Sequence, residues 1–326
     1  MTVQEMTYRE AIVAAQRDEL DADPTVLLMG EDIGESGGVF KNTAGLIERF
    51  GPTRVCETPI AETGFVGAAL GLAVAGYRPI VEVMFADFLA VCFDQVVNEI
   101  AKHRFMSGGR MAVPLVIRTA AGGGLQFAAQ HSQTAESWLL PFPGLKVFAP
   151  ACPADAYGLL RAAVRDPNPV VVLEHKALLN LRGPVTLGAD GIAEVDGPAV
   201  RRAGTDATVV ASLAMVPRAL DAAAVLADEG ISVEVIDLRI LRPLTIGPIV
   251  ESVRKTGRLV TVEEQPRAGG WGAEVVAQVV AEALDRLQAP PERVAMPDHP
   301  LPCSKPLEEA TRPSAEHIAA AVRKLL

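Results

Sequence analysis

Three side chains in this sequence are of types that move protons or stack on rings, and each stands in a setting that favours such work. Glu62 heads the stretch TPIAETGFVGAALGLAVAG, which is made almost wholly of small and apolar residues. Desolvation in such surroundings raises a carboxyl pKa toward the range where the group exchanges protons. The same residue would serve equally as a first-turn glutamate stabilised by the helix dipole. Phe88, at 88 − 62 = 26 positions further on in FADFLAVCFDQVVNE, is either a stacking platform or a core aromatic. His131 follows the glycine-rich RTAAGGGLQFAAQ, with Gln130, Ser132 and Gln133 beside it to fix an imidazole tautomer. A histidine in such a loop is better placed to meet a ligand than to fill a core, the alternative being a partly exposed polar residue. Gly64, Gly67 and Gly71 recur at spacings of three and four, as close helix packing or the approach of a cofactor or second subunit would require.

The elements that must carry these residues read as α/β. Short Val/Ile/Leu runs alternate with helix-like segments, the pattern of mainly parallel sheets covered by helices on both faces in two three-layer domains. Thr7 and Glu10 have the spacing of a capping box opening the first helix. TVLLMG, PIVEVMF, VPLVIR, LKVFAP and PVVVLE are expected strands; a Gly-rich loop spans Gly34 to Gly38, and helices are expected over Glu62 to Ala75 and Leu89 to Phe105. Between about Leu181 and Thr205 the chain turns Gly- and Pro-rich without helical period, an interdomain connection. The expected division is 1–185, a linker at 186–203, and a second α/β unit over 204–326 with strands TVVASL, VEVIDL and RLVTVEE. Its helices are expected at Pro217 to Asp228, Thr245 to Lys255 and Ala273 to Leu287.

The bulk properties exclude several functions. A formal charge of −10 and 5% aromatics argue against nucleic acid, anionic membrane and base-stacking surfaces. Four scattered cysteines make neither a disulfide framework nor a zinc cluster. The start MTVQEMTYREAI is neither a secretory signal nor an Arg-rich transit peptide, and no apolar run reaches membrane length, so a soluble cytoplasmic protein is expected.

The ordered segments LLMGEDIGESGGVFKNTAGL, TPIAETGFVGAALGLAVAGYRPIVEVMFADF, FDQVVNEIAKHRFMSGG, AAQHSQTAESWLLPFPGLKVFAPACPADAYGLL, RDPNPVVVLEHKAL and EEQPRAGGWGAEV resemble one family over nearly the whole chain. It is the beta subunits of the thiamine diphosphate-dependent decarboxylating component of 2-oxo acid dehydrogenase complexes, in the transketolase-like superfamily. The resemblance implies a pyrimidine-binding domain followed by a transketolase C-terminal-like domain for assembly and partner docking. It implies that Glu62 hydrogen-bonds the cofactor's aminopyrimidine nitrogen, that Phe88 stacks on that ring and Ile60 contacts it, and that His131 orients substrate and assists proton transfer. It also implies a monovalent cation such as K+ near Asp166 and Asn168. The partners implied are an alpha subunit in an alpha-2-beta-2 heterotetramer and a lipoyl acyltransferase core that receives the acyl group. Pyruvate or acetoin is favoured as substrate over a branched-chain 2-oxo acid.

The family's Mg²⁺-binding Gly-Asp-Gly segment is not found; the nearest string, Gly188-Ala189-Asp190-Gly191, lies in the expected linker. A diphosphate needs a metal or a cationic cradle, so the Mg²⁺ ligands are expected on the alpha subunit. Three rivals remain. A dinucleotide oxidoreductase would use the Gly64, Gly67, Gly71 series with Glu82 as ribose ligand, although the spacing is not G-x-G-x-x-G. A non-catalytic assembly subunit would have no need of Glu62, Phe88 and His131 together. The C-terminal half of a split transketolase would call for a basic cluster to hold sugar phosphates, and none is evident.

Overall fold

A computed structural model describes residues 2–326. The chain separates into two compact units that interleave in sequence. The first runs to Ala121 and resumes over Trp138–Val195; the second comprises Gly122–Ser137 and Asp196–Leu326. No helix among the described residues is long and apolar enough to cross a membrane.

In the first unit the helix Tyr8–Ala22 starts where the sequence places it. Glu10 N–H donates to Thr7 Oγ1 (3.1 Å) and Thr7 N–H to Glu10 Oε2 (2.7 Å), the reciprocal pair of a capping box. The strands that follow are parallel and lie side by side in the order Lys146–Phe148, Val170–His175, Val116–Ala121, Arg78–Val83, Val26–Gly30, Val55–Glu57. Four of them are buried almost end to end, as apolar strands covered on both faces must be. The segment expected as a plain linker is partly strand: Arg182–Leu187 pairs antiparallel with Thr2–Thr7. Pro184 is tolerated there because a two-stranded ribbon leaves it at an edge. The expected helix over Leu89 to Phe105 is broken into a 3-10 turn at Ala86–Ala90, a π-helical turn at Gln95–Ile100 and an α-helix at Ala101–Met106. The Thr63 hydroxyl donates to the Val91 carbonyl (2.8 Å) between the first two of these pieces.

The sheet interior holds a charged cluster. Arg118 is buried and forks both ways: Nε and Nη2 donate to Glu174 (2.7 and 2.8 Å), and Nη1 to Glu82 (2.8 Å) and Gln16 (3.0 Å). Asn42 Nδ2 donates to the same Glu174 carboxylate (3.1 Å), while Gln16 Nε2 donates to the Asn42 carbonyl (2.7 Å). Three strands and the Gly34–Gly38 loop's continuation are thus tied to one guanidinium.

In the second unit the strand order is Glu292–Met296, Leu259–Pro266, Ala207–Ala211, Val233–Asp237, Ala199–Arg202, parallel except for the last. The chain leaves the central strand Ala207–Ala211 in one direction through helix Met215–Asp228 and returns past it through helix Gly247–Thr256. Right-handed crossovers in opposite directions place these helices on opposite faces. Ala315–Leu325 joins the first of them and Gly272–Ala283 the second, which completes three layers.

Removing one partner of a buried ion cluster strands the others, at a cost of about 3–5 kcal/mol. Arg118→Ala should lower unfolding stability by that amount in a denaturant titration, whereas the exposed Arg254→Ala should change it by less than about 1 kcal/mol.

Candidate active site

Parallel strands end at a common edge, and three neighbours deliver the candidate groups there. Val26–Gly30 leads directly into Glu31, Val55–Glu57 into Ile60 and Glu62, and Arg78–Val83 into Phe85 and Phe88. Such carboxyl ends are where open α/β sheets bind ligands.

Glu62 is the first residue of the helix Glu62–Val74, and its cap Ala61 offers no side-chain bond. It is only 8% exposed, yet its carboxylate accepts no hydrogen bond from a described residue. Beside it in sequence, Ile60 is 84% exposed, an apolar surface with nothing of this chain upon it. Phe88 is half-buried on the 3-10 turn Ala86–Ala90, its N–H donating to the Phe85 carbonyl at 2.9 Å. Phe85 meets Phe88 edge to face at 5.5 Å and Phe40 at 5.4 Å, and the buried Lys176 ammonium lies 5.3 Å from its ring centre. Phe88 therefore stands on a packed aromatic stem. An acid without an internal partner, an exposed aliphatic side chain and a braced aromatic fit a flat heteroaromatic ring bearing a ring nitrogen.

Glu31 is a member of this group that the sequence reading passed over. It is buried, and its Oε1 has no hydrogen-bond partner among the described residues. Burial foremost, and then the charges of Glu62 and Asp32, push its carboxyl up to about 7. The only trace in sequence is its place directly after the strand TVLLMG. Cys92 is also buried, within reach of the Glu62 charge; desolvation, then Glu62, pushes its thiol up to about 12, so it remains protonated and unreactive.

His131 belongs to the second unit, not the first. It is half-buried in a loop whose neck is closed by Gly122 N–H to the Gln133 carbonyl at 3.0 Å. The neighbouring Ser132 is buried, and its hydroxyl has no hydrogen-bond partner among the described residues, so it does not fix the imidazole tautomer.

Asp166 and Asn168 have their side chains engaged. Asp166 takes the Lys146 ammonium and two bonds from Asn168 (2.9 and 2.8 Å), and the Asn168 amide oxygen accepts from Arg104 (2.6 Å). Gly188–Gly191 is a tight packing turn: Gly188 N–H donates to Tyr157 Oη (2.9 Å), and a Cβ on Gly191 would meet the Thr186 carbonyl at 1.8 Å. The glycine series Gly64, Gly67, Gly71 lies inside a helix rather than in a phosphate loop, and Glu82 is spent on Arg118. Both observations remove the dinucleotide reading. Packing within the chain does not demand these glycines either, since a Cβ at Gly71 would meet nothing within 4 Å.

Comparison with known proteins agrees with this geometry. Residues 4–182 match the transketolase pyrimidine-binding domain, and 198–318 the transketolase C-terminal domain. The chain is 44% identical over 323 residues to the mitochondrial pyruvate dehydrogenase E1 component subunit beta-2 of Oryza sativa subsp. japonica, covering 98% of this chain and 86% of that one. It is also 44% identical to the acetoin:2,6-dichlorophenolindophenol oxidoreductase subunit beta of Cupriavidus necator, covering 98% and 97%. Among solved structures, the inactive beta4 tetramer of a split-gene transketolase superposes with a TM-score of 0.79 at 27% identity, covering 98% of both chains. The fold is transketolase-like. The chain belongs to the family of beta subunits of the thiamine-dependent first component of 2-oxo acid dehydrogenases.

The raised Glu31 carboxyl binds its proton more tightly folded than unfolded, so its contribution to stability falls as pH rises from about 4.5 to about 7 and is then constant. Glu62→Gln removes the second of the causes. Carboxyl NMR titration of the chain should find Glu31 titrating near 7 in the parent and measurably lower in Glu62→Gln.

Proposed function

We propose that this chain supplies the pyrimidine side of a thiamine diphosphate site shared with an alpha subunit, in an alpha-2-beta-2 enzyme that oxidatively decarboxylates pyruvate or oxidises acetoin. The observation that carries the reading is Glu62, enclosed but unbonded, beside the exposed Ile60 and the braced Phe88. The proposed boundaries are a pyrimidine-binding domain over 1–185, a linker at 186–203 and an assembly domain over 204–326. Thiamine diphosphate, when bound, supplies a nucleophilic carbon and an electron sink for decarboxylation. Glu62 would hold the proton at the ring nitrogen. Phe88 and Ile60 would fix the plane of the ring and keep water from it. His131 would orient the substrate carbonyl and move a proton during decarboxylation and acyl transfer to a lipoyl acyltransferase core.

Mg²⁺ is assigned to ligands on the alpha subunit, since the Gly-Asp-Gly segment is missing from this sequence. A K+ ion near Asp166 and Asn168 would be held by backbone carbonyls, because Lys146 and Arg104 already engage those side chains.

The chain is to be co-expressed with its alpha subunit, supplied with thiamine diphosphate and Mg²⁺, and assayed with an artificial electron acceptor on pyruvate, acetoin and a branched-chain 2-oxo acid. Glu62→Ala should lower turnover by about 10²–10⁴-fold, the range of general acid–base catalysis; full activity in that variant defeats the assignment. His131→Ala should lose turnover on a similar scale while the dissociation constant of thiamine diphosphate stays within about twofold.

A further inference from the structure

The loop that carries His131 owes its shape to residues far along the chain. Glu308, on the helix Lys305–Thr311, is 1% exposed. Its Oε1 accepts from Gly124 N–H at 2.8 Å, and its Oε2 from Gln126 N–H at 3.1 Å. A carboxylate enclosed in this way and aimed at two backbone donors makes charge-assisted bonds, about twice as strong as neutral ones. Glu264 holds the neighbouring residue: its Oε1 accepts from Gly123 N–H (2.7 Å), while its Oε2 takes Arg312 Nη2 (2.7 Å). On the far side of the histidine, Thr134 Oγ1 donates to the Glu264 carbonyl (2.8 Å), and Ser212 Oγ donates to Glu136 Oε1 (2.5 Å). His131 therefore lies five residues after one anchored backbone amide and three before the next anchored side chain.

The loop would not hold this shape unaided. Gln126 and Ala128 have φ of +64° and +59°, a left-handed conformation that is strained for a non-glycine residue and persists only where the surroundings impose it. Gly123 is pressed so closely that a Cβ there would come within 2.8 Å of Leu301 Cδ1 and 3.2 Å of Arg312 Cδ. Glu308 bonds the amide of one of the strained residues itself.

We infer that Glu308 is a positioning residue for His131, so that the C-terminal half of the chain, beyond assembly, sets the geometry of the substrate-orienting histidine. The inference rests on the role proposed above for His131. Glu308→Gln keeps the side chain's shape and one accepting oxygen but presents an amide N–H to the Gln126 N–H. A misplacement of about 1 Å can cost up to about 10²-fold in rate.

The test uses the enzyme assembled with its alpha subunit, thiamine diphosphate and Mg²⁺, with pyruvate and an artificial acceptor. Glu308→Gln is expected to lower turnover roughly tenfold or more with the thiamine diphosphate dissociation constant within about twofold. Introduced into His131→Ala, the same change is expected to alter the residual turnover by less than about twofold, because nothing is left to misplace. Wild-type turnover in Glu308→Gln overturns the inference, as does an equal loss in both backgrounds, which a merely structural role would give. Full turnover in His131→Ala alone defeats instead the role of the histidine, and is read from a different protein.

Discussion

Parallel pairing sends every strand's exit to the same edge, and the candidate site follows from that constraint. Glu31, Glu62 and Phe88 are 31 and 26 residues apart in sequence, yet each comes within a few residues of a strand end, and those strands are immediate neighbours. No local preference of the segment around Glu62 could gather them. The carboxyl edge does so once the register Leu28↔Val55 and Leu28↔Ile80 is set. The consequence is electrostatic as well as geometric, since two acids brought to one poorly solvated edge cannot both ionise at ordinary cost. Burial there, and then the Glu62 charge, push the Glu31 carboxyl up to about 7.

Holding that edge in place falls to Arg118. Its guanidinium joins carboxylates from the strands on either side and reaches, through Glu174 and Asn42, the loop that follows Glu31. A bidentate fork is the one side-chain geometry that can satisfy both carboxylates at once, which a lysine could not do. The arrangement is costly to desolvate, and it gives the sheet a polar register mark within an otherwise apolar layer.

Much of this was legible in the sequence. The capping box at Thr7 and Glu10, the apolar parallel strands and the helix from Glu62 are local patterns and were read as such. Glu62, Phe88 and His131 are proposed from their settings and from the family resemblance. What escaped depends on neighbours distant in the chain. Glu31 looks like any acid after a strand until Glu62 is set beside it. Glu308 looks like a solvated helix residue in KPLEEAT until the loop 184 positions earlier places an amide on it. Pro and Gly at Gly183-Pro184 masked an edge strand, because breakers mark edges as readily as linkers.

The central claim is that this chain holds one half of a cofactor site: an acid, a stacking ring and an apolar contact, without the means to grip a diphosphate. Equilibrium binding of thiamine diphosphate with Mg²⁺ tests it most directly, measured by calorimetry on the chain alone, on its alpha subunit alone and on the assembled pair. The account predicts stoichiometric binding by the pair and none of comparable affinity by this chain alone. Equally tight, stoichiometric binding by the isolated chain would contradict it.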